Sequence, residues 1–156
     1  MQSENAPKVP EFYLVALGLT TNALWEFAHS PYYTDHTSDL SYLFWTRMHC
    51  AVSDALILLC AFWITCLATN SRHWFMNPSA WPAALFIAVG LNYTIWSEWI
   101  NTTIRGTWAY SDSMPMILGI GMTPVLQWLT IPPLLVVSLK GIGILSAGRK
   151  NTPGLQ

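Results

Sequence analysis

Charge is the scarcest ingredient of this sequence. Lys and Arg number seven and Asp and Glu eight, so 10% of the 156 residues are charged, against about 25% in soluble domains. So few charges cannot clothe two ordinary water-soluble domains, and the chain reads as one membrane domain, residues 1–156. The net charge of −1 leaves no basic surface, which excludes nucleic acid as a partner. Cysteine is almost as sparse. Cys50, Cys60 and Cys66 fall in one apolar segment, form no CxxC pair, and are expected as buried helix thiols. HExxH, a Gly-rich phosphate loop and GxSxG are all missing, so none of those chemistries is signalled. Residues Met1 to Glu11 lack the basic n-region and small-residue cleavage site of a signal peptide. The first hydrophobic segment is therefore expected to be retained.

What the sequence has is apolar length. Hydrophobic residues make up 53%, Trp occurs nine times and mean hydropathy is +0.36. Four stretches, at about 11–31, 43–68, 80–103 and 115–139, reach the roughly 20 residues that a bilayer crossing needs. Pro31 should end the first, since proline removes a helical hydrogen bond. The polar loops are then 32–42, 69–79 and 104–114, and 141–156 is expected as a mobile basic tail. The fold class is all-α, an integral membrane four-helix bundle. Lys8, Arg72, Lys140, Arg149 and Lys150 fall on one side, and Arg47 and Arg105 on the other. That bias places both termini in the cytoplasm, and the expected location is the bacterial inner membrane.

The stretch Ser97 to Tyr110 organises the rest. It sets Glu98, Asn101 and Arg105 among Trp99, Trp108 and Tyr110 at the end of an apolar run. A charge at mid-membrane costs about 2.5–3.5 kcal/mol on insertion scales, so a partner, a ligand or a reaction should offset it. Each span has a polar face at helical spacing. These faces are Asn22, Glu26 and His29; Arg47, Cys50 and Asp54, with His49 and Ser53 adjoining; Thr94, Glu98, Asn101 and Arg105; and Thr123, Gln127 and Thr130. Lipid cannot solvate them, so they should face inward. By depth, Glu26, Arg47, Asp54 and Glu98 should meet in the outer half of the bundle.

This constellation has several readings. Glu26 or Glu98 could pair with Arg47 or Arg105 as interhelical glue, although such bonds contribute only about 0.6 kcal/mol on average. As a site, Glu26, Asp54 and Glu98 would be catalytic acids and bases. Asn22, His29, Arg47, His49, Trp99, Asn101, Arg105, Trp108, Tyr110 and Gln127 would bind the substrate. Trp25, Trp96 and Trp99 flank the carboxylates and could stabilise a cation. Most other Trp residues, Trp128 included, fit an interfacial aromatic belt. Pro124 and Pro132-Pro133 are expected to interrupt the fourth span.

Haem does not suit the pattern, because His29 and His49 lie near the outer edge. Glu26-x-x-His29 is half of a di-metal motif whose second half is missing. One metal held by Glu26, His29, His49 and Asp54 or Glu98 would use an N/O set suited to Zn, Cu or Fe. No metal ligands are assigned on this pattern, and the cofactor is unknown.

A local resemblance accompanies these residues. Gly106-Thr107-Trp108-Ala109-Tyr110, Met114-Pro115, Met122-Thr123-Pro124-Val125-Leu126-Gln127-Trp128-Leu129 and Ile131-Pro132 together resemble the membrane-embedded lycopene cyclases of the heterodimeric and fungal type. Those proteins carry a Gly-x-Trp-x-aromatic segment and a Pro-x-Glu-Glu-Trp-x-aromatic helix ending near Ile-Pro. The resemblance covers about 25 residues and implies acid-initiated, redox-neutral cyclisation of an isoprenoid. Leu126 and Gln127 stand at the paired acids, so the acid would come from Glu26, Asp54 or Glu98. The family's use of paired units implies a partner.

Three functions follow as expectations: proton-transfer chemistry on an isoprenoid or other membrane lipid; an accessory or assembly subunit of a larger membrane complex; and a metal-binding or ion-translocating protein. The expected partners are membrane lipid and either a second membrane subunit or another copy of the chain.

Overall fold

The computed structural model describes residue 7 and residues 9–150, the last five of these by backbone alone. Lys8, and residues 151–156 of the expected mobile tail, lie outside the described residues. The fold is all-α, with four long helices: α1 (Pro10–Ala28), α2 (Leu40–Thr69), α3 (Ala80–Trp99) and α4 (Met122–Lys150).

Local chemistry sets the helix ends. Pro10 opens α1, where its missing N–H is one that the helix would leave unpaired anyway. The Asp39 carboxylate caps α2, accepting from the Ser41 amide at 2.9 Å and the Ser41 hydroxyl at 2.6 Å. Asn70 closes α2 in the left-handed conformation, φ 49°. After α3 the chain widens into a single π turn, Ile100–Ile104, with the Arg105 amide donating to the Ile100 carbonyl at 2.9 Å.

The fourth helix differs from the expected span at both ends. It starts at Met122 rather than 115, because Leu118 (φ 51°) and Gly119 (φ 83°) make a turn between β1 (Met116–Ile117) and β2 (Ile120–Gly121). It continues past 139 to Lys150, so the stretch expected to begin the tail at 141 is helical. Pro124 sits in its first turn, and the helix runs through Pro132 and Pro133 without a break.

Each helix packs on its sequence neighbours, and α4 closes the ring against α1. Consecutive helices run in opposite directions, since the ends of α1 and α3 meet the starts of α2 and α4 around one cavity. The apolar core fills one half of the ring. Leu14, Leu58, Phe62, Phe75, Phe86, Trp128, Leu135 and Leu139 form it. Trp128 is thus a core residue, not part of a belt, and its ring lies over Gly90, where a Cβ would come within 1.8 Å of it. The core draws on the start of α1 and α3 and the far parts of α2 and α4. The opposite half, where α1 and α3 end and α2 and α4 begin, is left for polar side chains. Of the four helices, α2 and residues Met122–Leu145 of α4 are long and apolar enough to cross a membrane.

Candidate functional site

A cavity of about 450 Å³ occupies that polar half, with all four helices contributing to its wall. Helical spacing brings the stripes onto it. Glu26 and His29 reach it from α1, Arg47, His49, Cys50, Ser53 and Asp54 from α2, Thr94 and Glu98 from α3, and Gln127 from α4. Asn101, Arg105 and Trp108 follow from the segment after α3. Glu26, Asp54 and Glu98 therefore share one chamber.

Glu98 is 8% exposed. Its Oε2 accepts from the Tyr110 hydroxyl at 2.5 Å and from Trp108 Nε1 at 3.3 Å. The π turn separates Glu98 from these two partners in the chain. After it the chain reverses at Gly106 (φ 60°), and the Thr107 amide donates back to the Asn101 carbonyl at 2.9 Å. Residues 108–110 then return over α3. They are held against the first loop by a Tyr33–Tyr110 bridge, with the Thr34 amide on the Ala109 carbonyl at 3.0 Å and the Ser111 amide on the Tyr32 carbonyl at 2.9 Å. Burial, and then the charge of Glu98, push the Tyr110 hydroxyl well above an ordinary phenol, so it stays a donor. Tyr33 is raised further still, first by burial and then by Glu98 and Glu26.

Glu26 and His29 lie one turn apart and bond to each other, Oε2 to Nε2, at 3.1 Å. His29 Nδ1 lies 3.2 Å from the Thr123 hydroxyl, itself 3.4 Å from the Met114 sulfur. If the hydroxyl points to Met114, Nδ1 must be a donor, and one proton then lies between Nε2 and Oε2. Asp54 Oδ2 accepts from Gln127 Nε2 at 2.8 Å, and the same amide nitrogen donates to Asn22 Oδ1 at 2.8 Å. Asn22 is therefore behind the wall: it holds Gln127 and does not line the cavity.

Arg47 has a different partner from the expected ones. Its Nε donates to the Ser30 hydroxyl at 2.6 Å, a terminal nitrogen pairs with Asp35, and the guanidinium lies 5.2 Å from the Tyr33 ring centre. Neither Glu26 nor Glu98 is ion-paired with Arg47 or Arg105. Arg105 and His49 are exposed at the cavity wall, with no side-chain partner among the described residues.

Several expectations fail on direction. Trp99 is 48% exposed and Trp96 54%, and neither lines the cavity. Each helical residue is turned about 100° from the one before, so the neighbour of an inward Glu98 looks outward. The aromatics on the wall are Tyr33, Tyr42, Tyr93 and Trp108. Thr130 is exposed and bonds the Leu126 carbonyl of its own helix at 2.8 Å. Only Cys66 is a buried thiol; Cys50 is half-buried on the cavity and Cys60 is exposed. Among the described residues, no three His, Cys, Asp or Glu side chains gather closely enough to hold a metal ion, so the Glu26, His29, His49, Asp54 or Glu98 set does not assemble as ligands.

Periodicity does not single out Tyr33, Asp35 or Tyr93. Asp35 comes from a 3₁₀ turn, Thr34–Thr37, whose position over α2 no repeat encodes. Tyr93 stands one residue before Thr94 and four before Ser97, a spacing that places it on the cavity side. No protein-family model matches the chain, and no curated protein and no solved structure matches it either.

Proposed function

We propose that the chain is a small integral membrane enzyme that moves protons on an isoprenoid or similar lipid, with Glu26, Asp54 and Glu98 as its acids and bases. The observation that carries this reading is the placing of three carboxyl groups from three helices on one cavity, none of them ion-paired to an arginine. The cavity volume falls within the range of about 300–1,000 Å³ common for small-ligand pockets.

The membrane part of the reading rests on the apolar exterior. Leu24, Phe44, Trp45, Leu56, Leu67, Trp81 and Trp96 are exposed, on three helices. Bilayer hydrocarbon would cover these side chains, whose exposure to water is unfavourable. All four helices would cross, with both termini cytoplasmic and the cavity opening toward the outer leaflet.

The chemistry follows from hydrogen bonding. Glu98, in its acid form, gives a proton to one carbon of an alkene; a C–H bond forms and the π bond breaks. The neighbouring carbon is left cationic, with the Trp108 and Tyr93 rings at hand. The Glu26–His29 pair takes a proton from an adjacent carbon and a new double bond closes, so the step is redox-neutral. Tyr110 and Trp108 hold Glu98 in place and stabilise its carboxylate once the proton has left. Asp54, fixed by Gln127, is the third participant. The lycopene-cyclase resemblance fits the same reaction class, and Gln127, at one of that family's acid positions, acts here through Asp54.

Deuterium tests this without a known substrate. Protein in vesicles of total bacterial lipid is incubated in D₂O, and the lipids are analysed by mass spectrometry. Wild type should place carbon-bound deuterium in one lipid class, and Glu98→Gln should cut the rate at least about 100-fold, the effect of losing a general acid. No incorporation by wild type, or equal incorporation by the variant, would contradict the reading.

A further inference from the structure

Each of the three cavity carboxyls has one oxygen fixed by the protein and the other open. Oε2 of Glu26 bonds His29, Oδ2 of Asp54 bonds Gln127, and Oε2 of Glu98 bonds Tyr110 and Trp108. Oε1 of Glu26, Oδ1 of Asp54 and Oε1 of Glu98 accept no hydrogen bond among the described residues. None of these oxygens is sealed away from the cavity as an orphaned buried atom either. Glu26 and Glu98 are at the same time more than nine-tenths buried, 6% and 8% exposed. Buried acceptors fixed in place but left open are a demand for donors.

The charge balance says what kind of donor. The wall carries Glu26, Asp35, Asp54 and Glu98 against Arg47 and Arg105, together with His29 and His49. Arg47 is taken up by Asp35. Arg105 and His49 are exposed, where solvent screens them. His29 serves Glu26 alone. Asp54 and Glu98 receive only neutral donors, an amide, a phenol and an indole. With Glu98 starting in its acid form, an amine guest would take that proton, become the ammonium and leave the carboxylate as its counter-ion, which a neutral alcohol or an anion could not do; Tyr93 and Trp108 lie on the same wall.

We infer that the cavity binds an organic ammonium, an amine head on an apolar body, through the open oxygens of Glu26, Asp54 and Glu98. This rests on reading the cavity as a ligand site and specifies the charge of its ligand. It does not require turnover.

Cys50 supplies the reporter, being on the cavity wall, while exposed Cys60 on the same helix is the internal control. Full-length protein in detergent is alkylated with iodoacetamide and each cysteine is followed by peptide mass spectrometry. The probes are 4-phenylbutylamine, 4-phenylbutanol and 4-phenylbutanoate, which share a body and differ in charge. The amine should slow Cys50 alkylation at least tenfold at saturation, the other two less than twofold, and Cys60 should not respond. Asp54→Asn and Glu98→Gln should each weaken that protection at least tenfold in amine concentration. Equal or better protection by the alcohol or the acid would overturn the cationic preference while leaving a ligand site. Protection by none of the three would overturn the inference as a whole. The deuterium assay then decides the enzymatic reading separately, because it needs no amine.

Discussion

Tyr110 donates its hydroxyl to Glu98 across 2.5 Å, joining a loop after α3 to a carboxyl group buried within α3. The bond links two properties that are usually separate, the closing of the loop and the setting of the acid. Tyr110→Phe keeps the ring and removes the donor. A hydrogen bond to a charged group contributes about 1.5–3 kcal/mol, so deuterium transfer should slow by roughly 10- to 100-fold with little change in insertion. An unchanged rate would show that Tyr110 only packs against Tyr33.

Gln127 Nε2 is, among the described residues, the one donor to both Asn22 Oδ1 and Asp54 Oδ2. Gln127→Leu leaves two acceptors without a partner, at about 1–3 kcal/mol each, and should lower the detergent-solubilised melting temperature clearly. Pairing the change with Asp54→Leu should recover part of the loss, since two apolar partners leave fewer orphans. A double variant no better than the single would argue against the bond.

Gly90 packs against the Trp128 ring, and a Cβ there would meet the nearest ring carbon at 1.8 Å. Gly90→Ala should destabilise by about 1–3 kcal/mol through overpacking. Gly141→Ala, where nothing lies within 4 Å, should be neutral or slightly stabilising by comparison. The two melting temperatures, measured side by side, check the α3–α4 contact.

Asp39 gives a pH signature at the start of α2, just outside the helix. The Ser41 hydroxyl and amide hold its carboxyl below the usual Asp range. A depressed pKa contributes stability that is fully present above the ordinary Asp value of about 3.9 and is lost as pH falls through the lower folded value. Asp39→Asn caps without titrating. The melting-temperature advantage of wild type over this variant should therefore shrink as pH drops below about 4, and a constant difference would contradict the cap.

Sequence periodicity reached the site further than it reached the loops. The stripes Arg47–Cys50–Asp54 and Thr94–Glu98–Asn101–Arg105 are helical repeats, and the helices do bring them to one wall. Adjacency misled where it replaced periodicity: Trp99 follows Glu98 in sequence and faces away from it. The partner of Arg47 was out of reach because Asp35 sits on a 3₁₀ turn with no repeat to extrapolate. The start of α4 depends on positive φ at Leu118 and Gly119, a backbone choice that an apolar run conceals.

Three carboxyls on one cavity should serve one guest. Native mass spectrometry of protein released from membrane nanodiscs tests it most directly. One discrete small-molecule adduct should persist on wild type and weaken or vanish in Glu26→Gln, Asp54→Asn and Glu98→Gln. A bare protein, or a lipid mixture matching the bulk membrane and indifferent to all three substitutions, would contradict it.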